Sequence, residues 1–307
     1  RNGDILRDVV QQYADLWKLS AEFKNWVEKA CTFCNTLVDR IVPGYPKDRI
    51  AELQKTLGYE DKLITEGERF HLWVIEAPKW VETEFPAKKA GLNVIFTNDM
   101  TPYRTRKVRI LNGAHTAMVP VAYLYGLRTV KETVEDEVLG KFVSELVYEE
   151  IIPTLDLPES ELKSFAADVL DRFRNPYIKH FLISIALNST SKYETRVLPS
   201  LLEYVNRKGE LPKRIVFALA SLIRFYKGTT LEGKAILLND DADRLAFFQK
   251  IWEQYGEDFF ALAKAVLART DFWGQDLNQI TGLHHLLTAY LQKMELNDFK
   301  NTLVEMS

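Results

Sequence analysis

Hydrophobic and polar positions divide the chain into two dissimilar portions. Before residue 98 the pattern is mixed. Apolar residues recur at three- and four-residue intervals over 4–18 and 21–31, the mark of two amphipathic helices. A run of strand-forming character, Leu37-Val38-Asp39-Arg40-Ile41-Val42, ends at the turn Pro43-Gly44-Tyr45-Pro46. A charged helix is predicted over 47–57. Two β-rich runs follow, Phe70-His71-Leu72-Trp73-Val74-Ile75 and Leu92-Asn93-Val94-Ile95-Phe96, joined by a proline- and lysine-containing segment. From Thr101 onward helical periodicity dominates, over 102–119, 129–152, 159–174, 177–188, 195–206, 212–226, 241–255, 257–269, 275–292 and 295–304. One candidate strand interrupts it, at 235–238. The pattern predicts a mainly α fold: a small α+β portion, 1–98, followed by a multi-helical portion, 99–307.

One predicted helix breaks the amphipathic rule. Thr101 suits a helix cap and Pro102 the first helical position. With Lys107 at zero on a wheel of ~100° per residue, Met118 falls near ~20°, Leu111 near ~40°, Arg104 near ~60°, His115 near ~80° and Asn112 near ~140°. The apolar stripe of Leu111, Ala114, Met118, Val121 and Ala122 covers the same side. Four polar groups therefore sit on or beside a face that should be buried, and an unpaired buried cation costs on the order of several kcal/mol. Pro120 lacks the N–H that would bond back to Thr116, so a kink or restart is predicted there. Arg104, Arg106 and Arg109 crowd Lys107 with like charge. Like charge and desolvation both lower a lysine pKa, as a general acid/base requires. The bland readings stay open: Lys107 snorkelling to solvent, His115 as a hydrogen-bonded core residue, Asn112 as a packing amide. Together the three would suit polarisation of a carbonyl oxygen.

Charge and motifs narrow the field by exclusion. The 307 residues carry 40 Lys+Arg against 43 Asp+Glu, a net charge of −3 with the signs interspersed. That gives no electrostatic footprint for nucleic acid or a membrane surface as partner. Cys31 and Cys34 form a lone C-x-x-C; without a second ligand pair it is weak evidence for zinc, and two thiols fit a reducing cytoplasm. His284 and His285 are adjacent and project in different directions from a helix. The run Asn239–Asp243 reads as a loop and helix cap. No metal site is predicted, and H-E-x-x-H, G-x-S-x-G, P-loop and G-x-G-x-x-G patterns are all missing from the sequence.

Two signatures carry a resemblance. Lys107-x4-Asn112-x2-His115 resembles the active-site pattern of the polyol-specific long-chain dehydrogenases, the mannitol dehydrogenase family. Phe33-x2-Thr36-x-Val38-Asp39-Arg40-Ile41-x-Pro43 matches a second signature, departing only where Cys31 replaces an aliphatic residue or tyrosine. The wording over 33–46, 70–76 and 111–118 is similar to a branch acting on hexuronates, with tagaturonate and altronate as the substrate pair. The resemblance implies an N-terminal Rossmann domain binding NAD, then a helical substrate domain like the C-terminal domain of 6-phosphogluconate dehydrogenase, and metal-independent hydride transfer. It also implies that this chain begins after the Rossmann portion, with 1–98 an α+β remnant of that domain, and does not turn over alone.

Carried over by position, Lys107 would be the general acid/base, Asn112 would donate to the developing alkoxide, and His115 would orient substrate hydroxyls. Lys192, in Ser189-Thr190-Ser191-Lys192, matches a substrate-orienting lysine. Asp39 and Arg40 would close the nicotinamide side or pair to hold the domains together. Two positions depart from polyol-oxidising members: Arg104 replaces a glutamate and Ser184 an arginine. Arg104 is expected to fork onto the hexuronate carboxylate; the rival reading has it capping an acidic neighbour. The expected activity is cytoplasmic, NAD-dependent reduction of tagaturonate to altronate. The alternatives are fructuronate/mannonate, a polyol or polyol phosphate, or a non-catalytic helical binding module.

Overall fold

A computed structural model describes residues 1–177, 179–296 and 298–306, as two compact units, Arg1–Thr105 and Arg106–Ser307. The first unit contains α1 (Asn2–Leu16), α2 (Ala21–Ala30), β1 (Asn35–Asp39), α3 (Ile50–Leu57), β2 (Leu72–Glu76), α4 (Val81–Glu84), a 3-10 turn (Ala87–Ala90), β3 (Val94–Thr97) and α5 (Thr101–Arg106), the last reaching one residue into the second unit.

β2 is the central strand of three. β1 pairs with it antiparallel, Asn35 opposite Glu76, and β3 parallel, Trp73 opposite Val94. Alternation places Leu72 and Val74 against Met100 on one face, and Ile75 against Val94, Ala77 and Ala87 on the other. Parallel pairing requires a crossover, and the proline- and lysine-containing segment provides one through α4 and the 3-10 turn. These pieces are too short for periodicity to reveal. β1 starts and stops earlier than the sequence predicts. Beyond Asp39 the ladder gives way to side-chain bonds: Arg40 Nε donates to the Glu68 carbonyl at 2.8 Å, and Ile41 N–H donates to Glu68 Oε1 at 2.6 Å. Gly3 seats α1 against the start of β1; a Cβ there would lie 2.5 Å from both the carbonyl carbon and oxygen of Cys34. Asn35 Oδ1 accepts from Gly3 and Asp4 N–H, satisfying donors that the first helical turn leaves open. Cys31 and Cys34 are half-buried free thiols.

The second unit is helical. After a π turn (Lys107–Asn112) come α6 (Gly113–Tyr125), α7 (Val130–Glu135), α8 (Glu137–Glu145), a second π turn (Leu146–Ile151), α9 (Glu159–Phe173), α10 (Leu182–Ile185), α11 (Ser189–Arg196), α12 (Leu198–Lys208) and α13 (Lys213–Phe225). α14 (Ala242–Tyr255), α15 (Phe259–Leu267), α16 (Thr270–Trp273), α17 (Leu283–Glu295) and α18 (Phe299–Met306) complete it. α13 is buried at every position from Ile215 to Phe225 and packs on α6 and α17, as a helix apolar all round must. Several predicted helices are subdivided. The 129–152 run breaks at Asp136, whose carboxylate caps α8 through the Val138 and Leu139 N–H groups. The 195–206 run is parts of two helices. Of 177–188 only Leu182–Ile185 is helical, Ile178 lying outside the described residues. The candidate strand at 235–238 reduces to one isolated bridge, Thr229 to Ala235. α6 continues through Pro120 to Tyr125 and stops at Gly126, whose φ of +117° favours glycine. Among the described residues no helix is long and apolar enough to cross a membrane.

Candidate active site

The polar residues that defy the amphipathic pattern coincide with a change of helix type. Across Lys107–Asn112 the turn widens, and the Gly113 N–H reaches back five residues to the Val108 carbonyl. A π turn holds more residues than an α turn, so the ~100° wheel does not carry through it and the predicted angles of Asn112 and His115 no longer apply.

Two of the three arginines expected to crowd Lys107 have partners of their own. Arg106 pairs with Glu161 and lies 4.5 Å over the Phe165 ring. Arg109 donates to Ser200 Oγ at 2.8 Å and Thr154 Oγ1 at 3.2 Å, and burial lowers its pKa to about 10. Arg104 is exposed and belongs to the first unit. Lys107 itself is half-buried, close enough to His115 for its charge to oppose protonation of the ring. Asn112 gives its backbone carbonyl to Thr116 Oγ1, while its half-exposed side-chain amide makes no hydrogen bond among the described residues.

His115 is 6 % exposed, stacked on Phe173 at 4.1 Å between centroids and edge-on to His180 at 5.1 Å. Burial, then the charges of His180, Arg196, Arg172 and Lys107, holds its pKa well below the ordinary histidine value. It is a neutral imidazole, and its buried Nε2 has no hydrogen-bond partner among the described residues. Burial also lowers the His180 pKa, to about 4.

α11 completes the cluster. Asn188 opens it in the left-handed region at φ +52°, a conformation asparagine tolerates better than most residues. Tyr193 anchors it, buried edge-on to Trp273 with its hydroxyl donating to the Ile215 carbonyl at 3.0 Å. The carbonyl of Arg196 lies 3.1 Å from where a Cβ on Gly113 would stand, so the end of α11 meets the start of α6 almost backbone to backbone. Lys192 is half-buried, with Nζ donating to the Ile185 carbonyl at 2.9 Å; burial and the Arg196 charge lower its pKa. Lys107 and Asn112 lie on the π turn and His115 on α6, while Lys192 lies on α11, the helix whose end meets Gly113. Asp39 and Arg40 lie in the first unit, Asp39 buried at the end of β1 and Arg40 engaged with the Glu68 loop. Sequence reading missed His180 and Arg196. His180 stands in a loop where the sequence predicts a helix, and Arg196 stands four residues after Lys192 and shares its helix face.

In open α/β sheets ligands lie at the carboxyl ends of parallel strands. At that end of β2 the N–H groups a phosphate would need are already committed, Gly3 and Asp4 to Asn35 and Met100 to Glu76. These three N–H groups are therefore not free to receive a phosphate as the helix N-terminus of a dinucleotide fold does.

Residues 99–295 match the mannitol dehydrogenase C-terminal domain, and residues 1–89 match the mannitol dehydrogenase Rossmann domain. The chain belongs to the mannitol dehydrogenase family. The second match corrects the expectation that the Rossmann portion is missing. Its physical counterpart is the parallel β2–β3 pair with its crossover, and the small sheet is consistent with a remnant of that domain. Family relatives include the altronate oxidoreductase of Bacillus subtilis, 50% identical over 290 residues, covering 94% of this chain and 59% of that protein. That of Phocaeicola vulgatus is 48% identical over 295 residues, covering 96% and 61%. The chain spans about three fifths of the length of these relatives. In fold it is similar to Pseudomonas fluorescens mannitol 2-dehydrogenase, solved as a ternary complex with NAD and D-mannitol, at TM-score 0.79 and 24% identity, covering 99% of this chain and 60% of that one.

Proposed function

We propose that this chain supplies the substrate-binding and proton-transferring groups of a hexuronate oxidoreductase interconverting tagaturonate and altronate, with a nicotinamide cofactor as the redox partner. The helical portion, 99–307, is the substrate domain, of the 6-phosphogluconate dehydrogenase C-terminal type, and 1–98 belongs with the cofactor domain. The observation that carries the reading is the buried, neutral His115, whose Nε2 has no partner among the described residues and whose ring feels the charge of Lys107. A fold does not leave a buried ring nitrogen unsatisfied without cost; a substrate hydroxyl would satisfy it.

In this reading Lys107 Nζ gives a proton to the ketone oxygen on reduction and takes it back on oxidation. The Asn112 amide donates to the same oxygen as it gains charge. His115 and Lys192 hold substrate hydroxyls; Arg104, exposed in the first unit, is the carboxylate partner expected from the resemblance and the rival to any cation of the second unit. Asp39 and Arg40 brace the cofactor side.

The test is NADH consumption by the full-length protein with tagaturonate, fructuronate and fructose side by side. Oxidation of NADH with tagaturonate supports the reading; none with either ketouronate overturns it. Lys107→Ala is expected to lower kcat about 100-fold or more, the order of a lost general acid, and an unchanged kcat would remove Lys107 from the chemistry.

A further inference from the structure

We infer that Arg196 is the anion anchor of the second unit, the cation that grips the substrate's carboxylate and so selects a sugar acid over a neutral sugar. The inference rests on the hexuronate reading above and names the group that would enforce it.

Arg196 stands apart from other arginines of its unit. Arg106, Arg214, Arg224 and Arg269 each hold a carboxylate, from Glu161, Glu145, Glu295 and Asp271 respectively. Arg109 holds two hydroxyls. Arg196 is half-buried, yet its guanidinium makes neither hydrogen bond nor ion pair among the described residues. Its position is not loose. It ends α11, which Tyr193 pins to Ile215 and Trp273, and its carbonyl sits against Gly113.

The surroundings make the missing partner costly. Lys192 precedes Arg196 by one helical turn, and like charges at that spacing repel. Lys192 is itself satisfied by the Ile185 carbonyl. The acid nearest in charge terms to Lys192, Asp240, is occupied by the hydroxyls of Tyr226 and Thr190. On the other side, His115 feels Arg196, Arg172 and Lys107, all cationic. A region holding several desolvated cations and an open imidazole nitrogen is matched by an anion that also carries hydroxyls. The planar fork of a guanidinium fits a carboxylate through two parallel bonds; a hydroxymethyl group offers no such match. In a hexuronate the carboxylate lies at the opposite end of the carbon chain from the ketone. Lys107 and Arg196 sit on different elements that meet at Gly113, an arrangement suited to holding both ends.

The experiment is calorimetric titration of the full-length protein with altronate and with its neutral counterpart altritol. Arg196→Gln is expected to weaken altronate binding at least about tenfold while leaving altritol within about twofold, the size of a lost charge-assisted bond. Arg196→Lys, which keeps the charge and loses the fork, is expected to fall between, and it guards against a folding defect in the first variant. Equal losses for both ligands would make Arg196 structural and overturn the assignment. So would undiminished altronate preference in Arg196→Gln, above all if Arg104→Ala abolished it. If the unmodified protein bound altronate no better than altritol, the hexuronate reading itself would fall, and the anchor with it.

Discussion

Replacing His115 with phenylalanine separates a working histidine from a structural one. The substitution keeps an aromatic ring in the stack on Phe173 and removes the buried Nε2 that lacks a partner. An unsatisfied buried polar atom costs about 1–3 kcal/mol. The larger ring overfills its site by roughly 1 kcal/mol. The net expectation is a more stable protein, by about 1 kcal/mol, which for a unit of this size raises Tm by roughly 2–4 °C. Acid widens the gap. Burial holds the His115 pKa below that of the unfolded chain, so the folded state binds fewer protons below about pH 6.5. The stability tied to this neutral ring is whole above that pH and drains away as pH falls. The phenylalanine variant has no such loss. His180, at about 4, still drains both proteins of on the order of 3 kcal/mol between about pH 6.5 and its own pKa. The assay pairs thermal melts at about pH 7.5 and about pH 5 with initial rates on a ketouronate. Melting should rise, the acid advantage should grow, and kcat/KM should fall about 100-fold or more. A Tm lowered by several degrees at neutral pH would refute the reasoning: it would mean the imidazole serves the core.

Two further perturbations probe the scaffold. Gly3→Ala forces a methyl to within 2.5 Å of the Cys34 backbone, where nothing flexible can yield; it should destabilise the first unit by about 2 kcal/mol despite the helix preference of alanine, and an unchanged urea midpoint would contradict the close approach. Glu150, buried on the second π turn and accepting the N–H groups of Arg214 and Ile215, has its pKa pushed up to about 7, chiefly by burial. The folded state therefore holds this proton longer than the unfolded chain. The stability tied to Glu150 should decline from about pH 4.5 to about pH 7 and then level off, opposing the histidine contributions, so the difference between the parent and Glu150→Gln in equilibrium unfolding should change across that window; a difference independent of pH would place its origin elsewhere.

How far the sequence could be read depends on the length scale over which each feature is written. α1, α2, α9, α13, α14 and α17 extend over enough turns for the 3.6-residue period to emerge. The three strands were found, but β2 and β3 were not recognised as parallel. That relation is decided by α4 and a 3-10 turn of four residues each, where no period can form. The reading of 1–98 as a remnant of the cofactor domain stands beside the Rossmann-domain match over 1–89, which overturns only the expectation that this domain is missing. Pro120 shows the converse error, a strong local rule overridden by context. α6 is buried along almost its whole length, and packing against α13 holds it together where its own hydrogen bonding is weakened.

The site was visible as a contradiction before it was visible as a place. Lys107, Asn112 and His115 were polar where the apolar stripe required otherwise, and that signal survives. The geometry drawn from it does not, because the helix changes type within the stretch that carries the signal. Both π turns of the second unit hold ionisable or amide groups in half-buried or buried positions, Lys107, Arg109 and Asn112 on the first and Glu150 on the second. A widened turn lets a helix present one extra residue toward its neighbours without breaking the flanking α segments. Polar residues placed against the amphipathic grain therefore mark where the helical period itself is to be distrusted. For the same reason Arg196 went unnoticed: α11 is regular, its arginine lies in phase with Lys192, and nothing in its spacing objects. What sets it apart is a half-buried guanidinium with no partner among the described residues, and a missing neighbour can be read only in three dimensions.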